Sequence, residues 1–119
     1  ESACNNSKGC GIAWPSVAEF FSVVTHGKAS KRPSTGADAT HFLRNLCEDG
    51  EVKILLPRAG FAERLLQMAN DFKVQGRRIF DLQIALIGLE NGATEIWSRD
   101  KRLVCLPGLL LVDPFSNHP

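Results

Sequence analysis

The segment Asp81–Asn91, DLQIALIGLEN, constrains the fold of this chain more than any other. At helical spacing its apolar residues run nearly all the way round, where a surface helix would show a single stripe. Such a helix has to be covered on more than one side, so the chain must build packed layers around it. Asn91-Gly92 is a good C-terminal stop for it. Two apolar runs follow, Ala93–Ser98 (ATEIWS) and Leu109–Val112 (LLLV), separated by the charged turn RDKR and closed by Asp113-Pro114. Strands this apolar do not face water on one side. They predict a mainly parallel sheet with helices on both faces.

The rest of the chain supplies those layers. Gly11-Ile12-Ala13-Trp14 reads as a short strand ending at Pro15, a residue suited to the first turn of a helix. Val17, Phe20, Phe21 and Val24 then follow the i, i+3, i+4, i+7 rule, and His26-Gly27 ends that helix. A second helix is predicted from near Thr35, with Ala39, Phe42, Leu43, Leu46 and Cys47 on one face. Val52–Leu56 (VKILL) reads as a buried strand stopped by Pro57. Phe61, Leu65, Met68 and Phe72 mark a third helix, and Asp81 opens the fourth. The predicted order is β-α-α-β-α-α-β-β, in one domain over residues 11–116. The first ten residues, ESACNNSKGC, read as a polar leader, and an opening on Glu1 rather than Met points to a segment upstream.

Composition excludes several classes. The chain has 119 residues, room for one domain. No apolar stretch approaches the length of a membrane span. Fourteen Lys and Arg against thirteen Asp and Glu leave a formal charge of +1, so nucleic-acid binding cannot rest on bulk charge. The basic residues cluster locally, as HGKASKR (His26–Arg32), GRR (Gly76–Arg78) and RDKR (Arg99–Arg102), patterns that also suit a solvated surface. Cys4, Cys10, Cys47 and Cys105 form no Cys-x-x-Cys, which argues against structural zinc. Cys47 and Cys105 read as small buried hydrophobes; a Cys4–Cys10 disulfide stays open. With no secretory signal in the sequence, a cytoplasmic location is expected.

In an open α/β sheet, ligands bind outside the carboxyl ends of the strands. That rule selects three acids: Glu19 on the helix leaving the first strand, Asp81 at the start of the fourth helix, and Asp100 just past ATEIWS. Each also has a local explanation. Asp81 suits a helix N-cap, Glu19 a solvated helix face, and Asp100 a surface turn beside Arg99 or Lys101. Yet a parallel sheet would bring all three termini together. Clustered carboxylates need a cation, and hard Mg²⁺ or Mn²⁺ suits oxygen ligands.

The run FDLQIALIGLENGATEIWSRDKRLVCLPGLLLVDPF resembles the carboxyl-terminal half of PIN domains, especially VapC-like toxins of bacterial toxin–antitoxin pairs. The resemblance rests on Asp81 opening a buried helix, Gly92-Ala93-Thr94, Ser98-Arg99-Asp100, Pro107-Gly108-Leu109 and Asp113-Pro114. Upstream, WPSVAEFFSVVTH resembles the family's second acidic motif, with Glu19 as the acid. The resemblance implies a three-layer α/β/α fold and a metal-dependent endoribonuclease hydrolysing RNA phosphodiester bonds. Glu19, Asp81 and Asp100 would be ligands or bases for Mg²⁺ or Mn²⁺, with Ser98 hydrogen-bonding nearby. From charge, Lys28, Lys31, Arg32, Arg99 and Lys101 are candidates for phosphate contacts.

The departure from the family pattern is as informative. PIN domains begin with a central strand carrying an Asp, and no such segment precedes Gly11. The expected fold is therefore PIN-like with its N-terminal central strand absent. The strands at Ile12–Trp14 and Ala93–Ser98 would then present open edges, so a homodimer is expected. The alternative to a ribonuclease is a non-catalytic PIN remnant acting through self-association or by binding an antitoxin-like peptide. A Rossmann-type nucleotide binder is disfavoured because Gly-x-Gly-x-x-Gly is missing.

Overall fold

The structure is a computed structural model, and it describes residues 2–5, 9–26, 35–49, 52–97 and 106–112. Nine elements appear among them: β1 (Ser2–Asn5), β2 (Gly9–Ala13), α1 (Trp14–Thr25), α2 (Gly36–Asp49), β3 (Lys53–Leu55), α3 (Phe61–Asp71), α4 (Arg78–Glu90), β4 (Glu95–Trp97) and β5 (Leu110–Val112). From β2 onward this is the order expected from periodicity.

The five strands form one sheet in the order β3-β2-β1-β4-β5. The outer pairs are parallel, with Ile12 opposite Ile54 and Ile96 opposite Leu111. The middle of the sheet differs from expectation. Ser2–Asn5, read from sequence as part of a polar leader, runs antiparallel to both β2 and β4, placing Cys4 opposite Cys10 and Ala3 opposite Ile96. The facing edges of β2 and β4 are therefore paired, not open, and the sheet is mixed instead of mainly parallel. The sequence of β1, SACN, carries no alternating or continuous apolar signal, so period-2 reasoning had nothing to detect.

Helix α4 is the centre of the core, as its composition requires. Leu82, Ala85 and Ile87 are completely shielded from solvent, and Ile84 and Leu86 nearly so. They pack with Ala13, Phe61, Ala69, Ala93, Ile96, Leu106 and Leu109. Burying side chains of this size stabilises by roughly 1.5–3 kcal/mol each. The helix ends in a Schellman motif. Gly92 takes φ +88°, its N–H donates to the Leu89 carbonyl, and the Ala93 N–H donates to the Gly88 carbonyl at 3.0 Å. The Asn91 side chain donates to the Leu56 carbonyl at 3.1 Å, holding this end of α4 against the segment after β3.

The predicted apolar faces of α1 and α2 are corrected. Val17, Phe20 and Val24 are only half-buried, Phe21 is exposed, and the buried residue of α1 is Ser16. In α2 only Ala39 is buried among the described residues; Cys47 is free and half-buried, not a core residue. The two helices pack on each other, with Phe20 and Phe42 stacked at 5.4 Å between ring centroids. Periodicity finds a face without saying what covers it. In α3, Phe61 and Ala69 reach the core, whereas Phe72 caps the helix and stays exposed. Thr35 starts α2 as expected: its hydroxyl accepts the Asp38 N–H at 3.1 Å. Cys10 is disulfide-bonded, and Cys105 lies outside the described residues.

Candidate active site

β2 leads directly into α1, with Pro15 near the start of the helix and Glu19 one turn further on. The other wall comes from α4. That helix begins at Arg78, three residues earlier than its apolar pattern suggests, with Arg77 as its N-cap residue. Asp81 is therefore not the N-cap. It lies in the first turn, where the positive end of the helix dipole favours a carboxylate. The sequence signal for the earlier start is Gly76, whose φ of +63° breaks the chain before the helix.

The two helix starts enclose a cleft of about 440 Å³ lined by Pro15, Glu19, Arg77, Phe80, Asp81, Gln83 and Ile84. Glu19 and Asp81, selected from separate stretches of sequence, thus share one cleft. Asp100, Ser98, Arg99, Lys101, Lys28, Lys31 and Arg32 lie outside the described residues. Arg77, Phe80 and Gln83 also line the cleft and are not among the sequence candidates. Their signal is in the sequence: they lie within about one helical turn of Asp81, and Arg77 belongs to the basic cluster GRR.

Among the described residues no group of three His, Cys, Asp or Glu side chains is close enough to hold a metal ion. The cleft supplies two carboxylates. That donor set fits a hard divalent cation, because Mg²⁺ is commonly held by one or two carboxylates while keeping waters and substrate phosphate as its other ligands. Soft thiolate ligands are missing from the lining, so zinc or copper chemistry is a poorer match.

Close by, the Ser16 hydroxyl oxygen is buried with no hydrogen-bond partner among the described residues. Ser16 precedes Glu19 by one turn and is 6% exposed. An orphaned hydroxyl costs stability, on the order of 1–3 kcal/mol, and it marks the start of α1 as a place not optimised for packing alone.

Comparison with known proteins agrees with the motif pattern. No family model matches the chain. Two curated proteins do, both named Ribonuclease VapC48, from Mycobacterium tuberculosis strains CDC 1551/Oshkosh and ATCC 25618/H37Rv. Each is 24% identical over 106 residues, covering 89% of this chain and 73% of the relative. The chain is thus similar, at low identity, to proteins named as VapC ribonucleases. Its mixed α/β architecture with short parallel strand pairs is consistent with a PIN-like fold. Among the described residues no helix is long and apolar enough to cross a membrane.

Proposed function

We propose that this chain is a divalent-metal-dependent endoribonuclease of the VapC toxin type, hydrolysing RNA phosphodiester bonds in the cleft between the starts of α1 and α4. The observation that carries this reading is the meeting of Glu19 and Asp81 in one cleft, in a chain similar to proteins named as VapC ribonucleases. Asp100 is the third acid of the proposed set, and Ser98, Arg99, Lys101, Lys28, Lys31 and Arg32 are proposed to contact the RNA around it.

Glu19 and Asp81 are the residues of the described cleft that would hold Mg²⁺ or Mn²⁺. When bound, such an ion neutralises phosphate charge and lowers the pKa of a coordinated water. The chain's own contribution is to fix two carboxylates on rigid helices and to present a basic side chain beside them, so that a phosphodiester enters a site of mixed charge. The test is cleavage of a labelled RNA with Mg²⁺ or Mn²⁺ by wild type, Glu19→Gln, Asp81→Asn and Asp100→Asn. Loss in all three with an unchanged thermal transition supports the reading. Full cleavage by any folded variant removes that acid from the site.

A second surface supports the association reading. Trp14, Val17, Ala18, Phe21, Thr40, Leu43 and Arg44 line a mainly apolar groove of about 400 Å³ between α1 and α2. Trp14, Phe21 and Phe42 on these helices are all exposed. Exposed apolar surface of this kind suits a protein contact, and its proposed occupants are an antitoxin segment or a second copy of the chain. Light scattering over a tenfold concentration range, alone and with Phe21→Asp, tests self-association. A wild-type monomer throughout removes the homodimer.

A further inference from the structure

Phe80 lies outside the core cluster of the described residues. It belongs to α4, the most buried helix among the described residues, yet it is 61% exposed, and it lines the cleft that also holds Glu19 and Asp81. Arg77 lines the same cleft and forms no ion pair among the described residues, although two carboxylates share the space with it. Gln83 adds an amide. A wall made of one aromatic ring, one guanidinium and one amide beside two acids is chemically specific. The ring offers a flat apolar face, and the guanidinium can bind phosphate through charge-assisted hydrogen bonds.

Unstacked bases of single-stranded RNA dock on exposed aromatic rings, and the phosphates on either side are held by Arg and Lys. A duplex offers no free base face to such a ring. We infer that Phe80 and Arg77 form a nucleotide subsite beside the carboxylates, with one unpaired base stacked on the Phe80 ring and a neighbouring phosphate on Arg77. The subsite rests on the ribonuclease reading and deepens it by assigning these two side chains to the nucleotide next to the cut. Stacking tolerates any base, because every base has a π-face. This subsite therefore secures strand geometry and leaves base choice to other contacts.

The experiment uses the full chain with Ca²⁺ and a fluorescently labelled single-stranded oligoribonucleotide carrying 2-aminopurine, followed by anisotropy and by base fluorescence. Cleavage with Mn²⁺ is measured in parallel. Phe80→Ala should weaken binding roughly tenfold and abolish the stacking quench of 2-aminopurine. Phe80→Leu should behave like Phe80→Ala although it keeps apolar bulk, and Phe80→Trp should bind at least as well as wild type. Arg77→Ala should weaken binding and reduce the slope of log affinity against log salt by about one. Thermal transitions should be unchanged for all, since neither side chain belongs to the core. Phe80→Leu binding and quenching like wild type, while Glu19→Gln and Asp81→Asn still abolish cleavage, would overturn the subsite but leave the ribonuclease reading standing. A wild-type chain that neither binds nor cleaves the RNA would overturn both.

Discussion

Arg64 and Glu90 face each other across α3 and α4 as a two-pronged pair: Arg64 Nε donates to Glu90 Oε2 at 2.5 Å, and Arg64 Nη2 donates to Glu90 Oε1 at 2.7 Å. Arg64 Nη1 also donates to the Ala59 carbonyl at 2.8 Å, so one guanidinium ties the start of α3 to the end of α4. This is the fork geometry that distinguishes Arg from Lys. It braces α4 at the end opposite the cleft, where the Schellman turn and the Asn91 side chain also act.

The pair has a pH signature. Hydrogen bonding to Arg64 is the main cause holding the Glu90 carboxyl below its ordinary value. A depressed carboxyl stabilises the fold above its unfolded value, and that contribution is lost as pH falls through the folded value. Glu90→Gln should therefore lower the melting temperature slightly at neutral pH, with the difference closing in acid and in high salt. The effect is small because the Arg64 side chain is 42% exposed and solvent screens the pair. A difference that stays constant from neutral pH into acid would show that the pair does not act through charge.

Ser16 predicts the opposite sign. Its buried oxygen has no partner among the described residues, so Ser16→Ala removes a desolvated hydroxyl without leaving a sizeable cavity. Stability by urea titration should be unchanged or higher by up to about 1 kcal/mol. A clear loss of stability would mean that the hydroxyl is bonded in solution.

Gly11 is required by close packing. A Cβ built there would lie 2.6 Å from Leu55 Cγ on the neighbouring strand β3. Gly11→Ala should destabilise by about 1–3 kcal/mol, the usual cost of overpacking. Adding Leu55→Ala should recover part of that loss, because contacting residues are not additive. A double mutant that simply sums the two single effects would place the clash elsewhere.

The cleft predicts weak metal binding by few ligands. Mn²⁺ titrated calorimetrically should bind more weakly than micromolar, and Asp81→Asn should abolish the heat. Micromolar affinity that survives Asp81→Asn would place the ion outside the cleft.

Periodicity made α4 legible as a buried helix, Asn91-Gly92 as its stop, Thr35 as the start of α2, and the element order from β2 onward. These features depend on neighbours three or four residues apart, so a local stretch of sequence contains the whole cause. Glu19 and Asp81 could be selected from sequence because each lies near the end of an element, where a parallel layout places ligands. Tertiary structure decided what no local pattern holds. It put Ser2–Asn5 antiparallel between β2 and β4, although SACN carries no apolar signal, because backbone pairing of a short strand is set by which edges are vacant. It turned the apolar faces of α1 and α2 towards each other and partly to solvent, since a helix face specifies that something must cover it but not which element will. It also brought Glu19 of α1 to the cleft that Arg77, Phe80 and Asp81 line from the start of α4. That meeting depends on how α4 crosses α1, and a packing angle between distant segments is written in no single stretch of the chain.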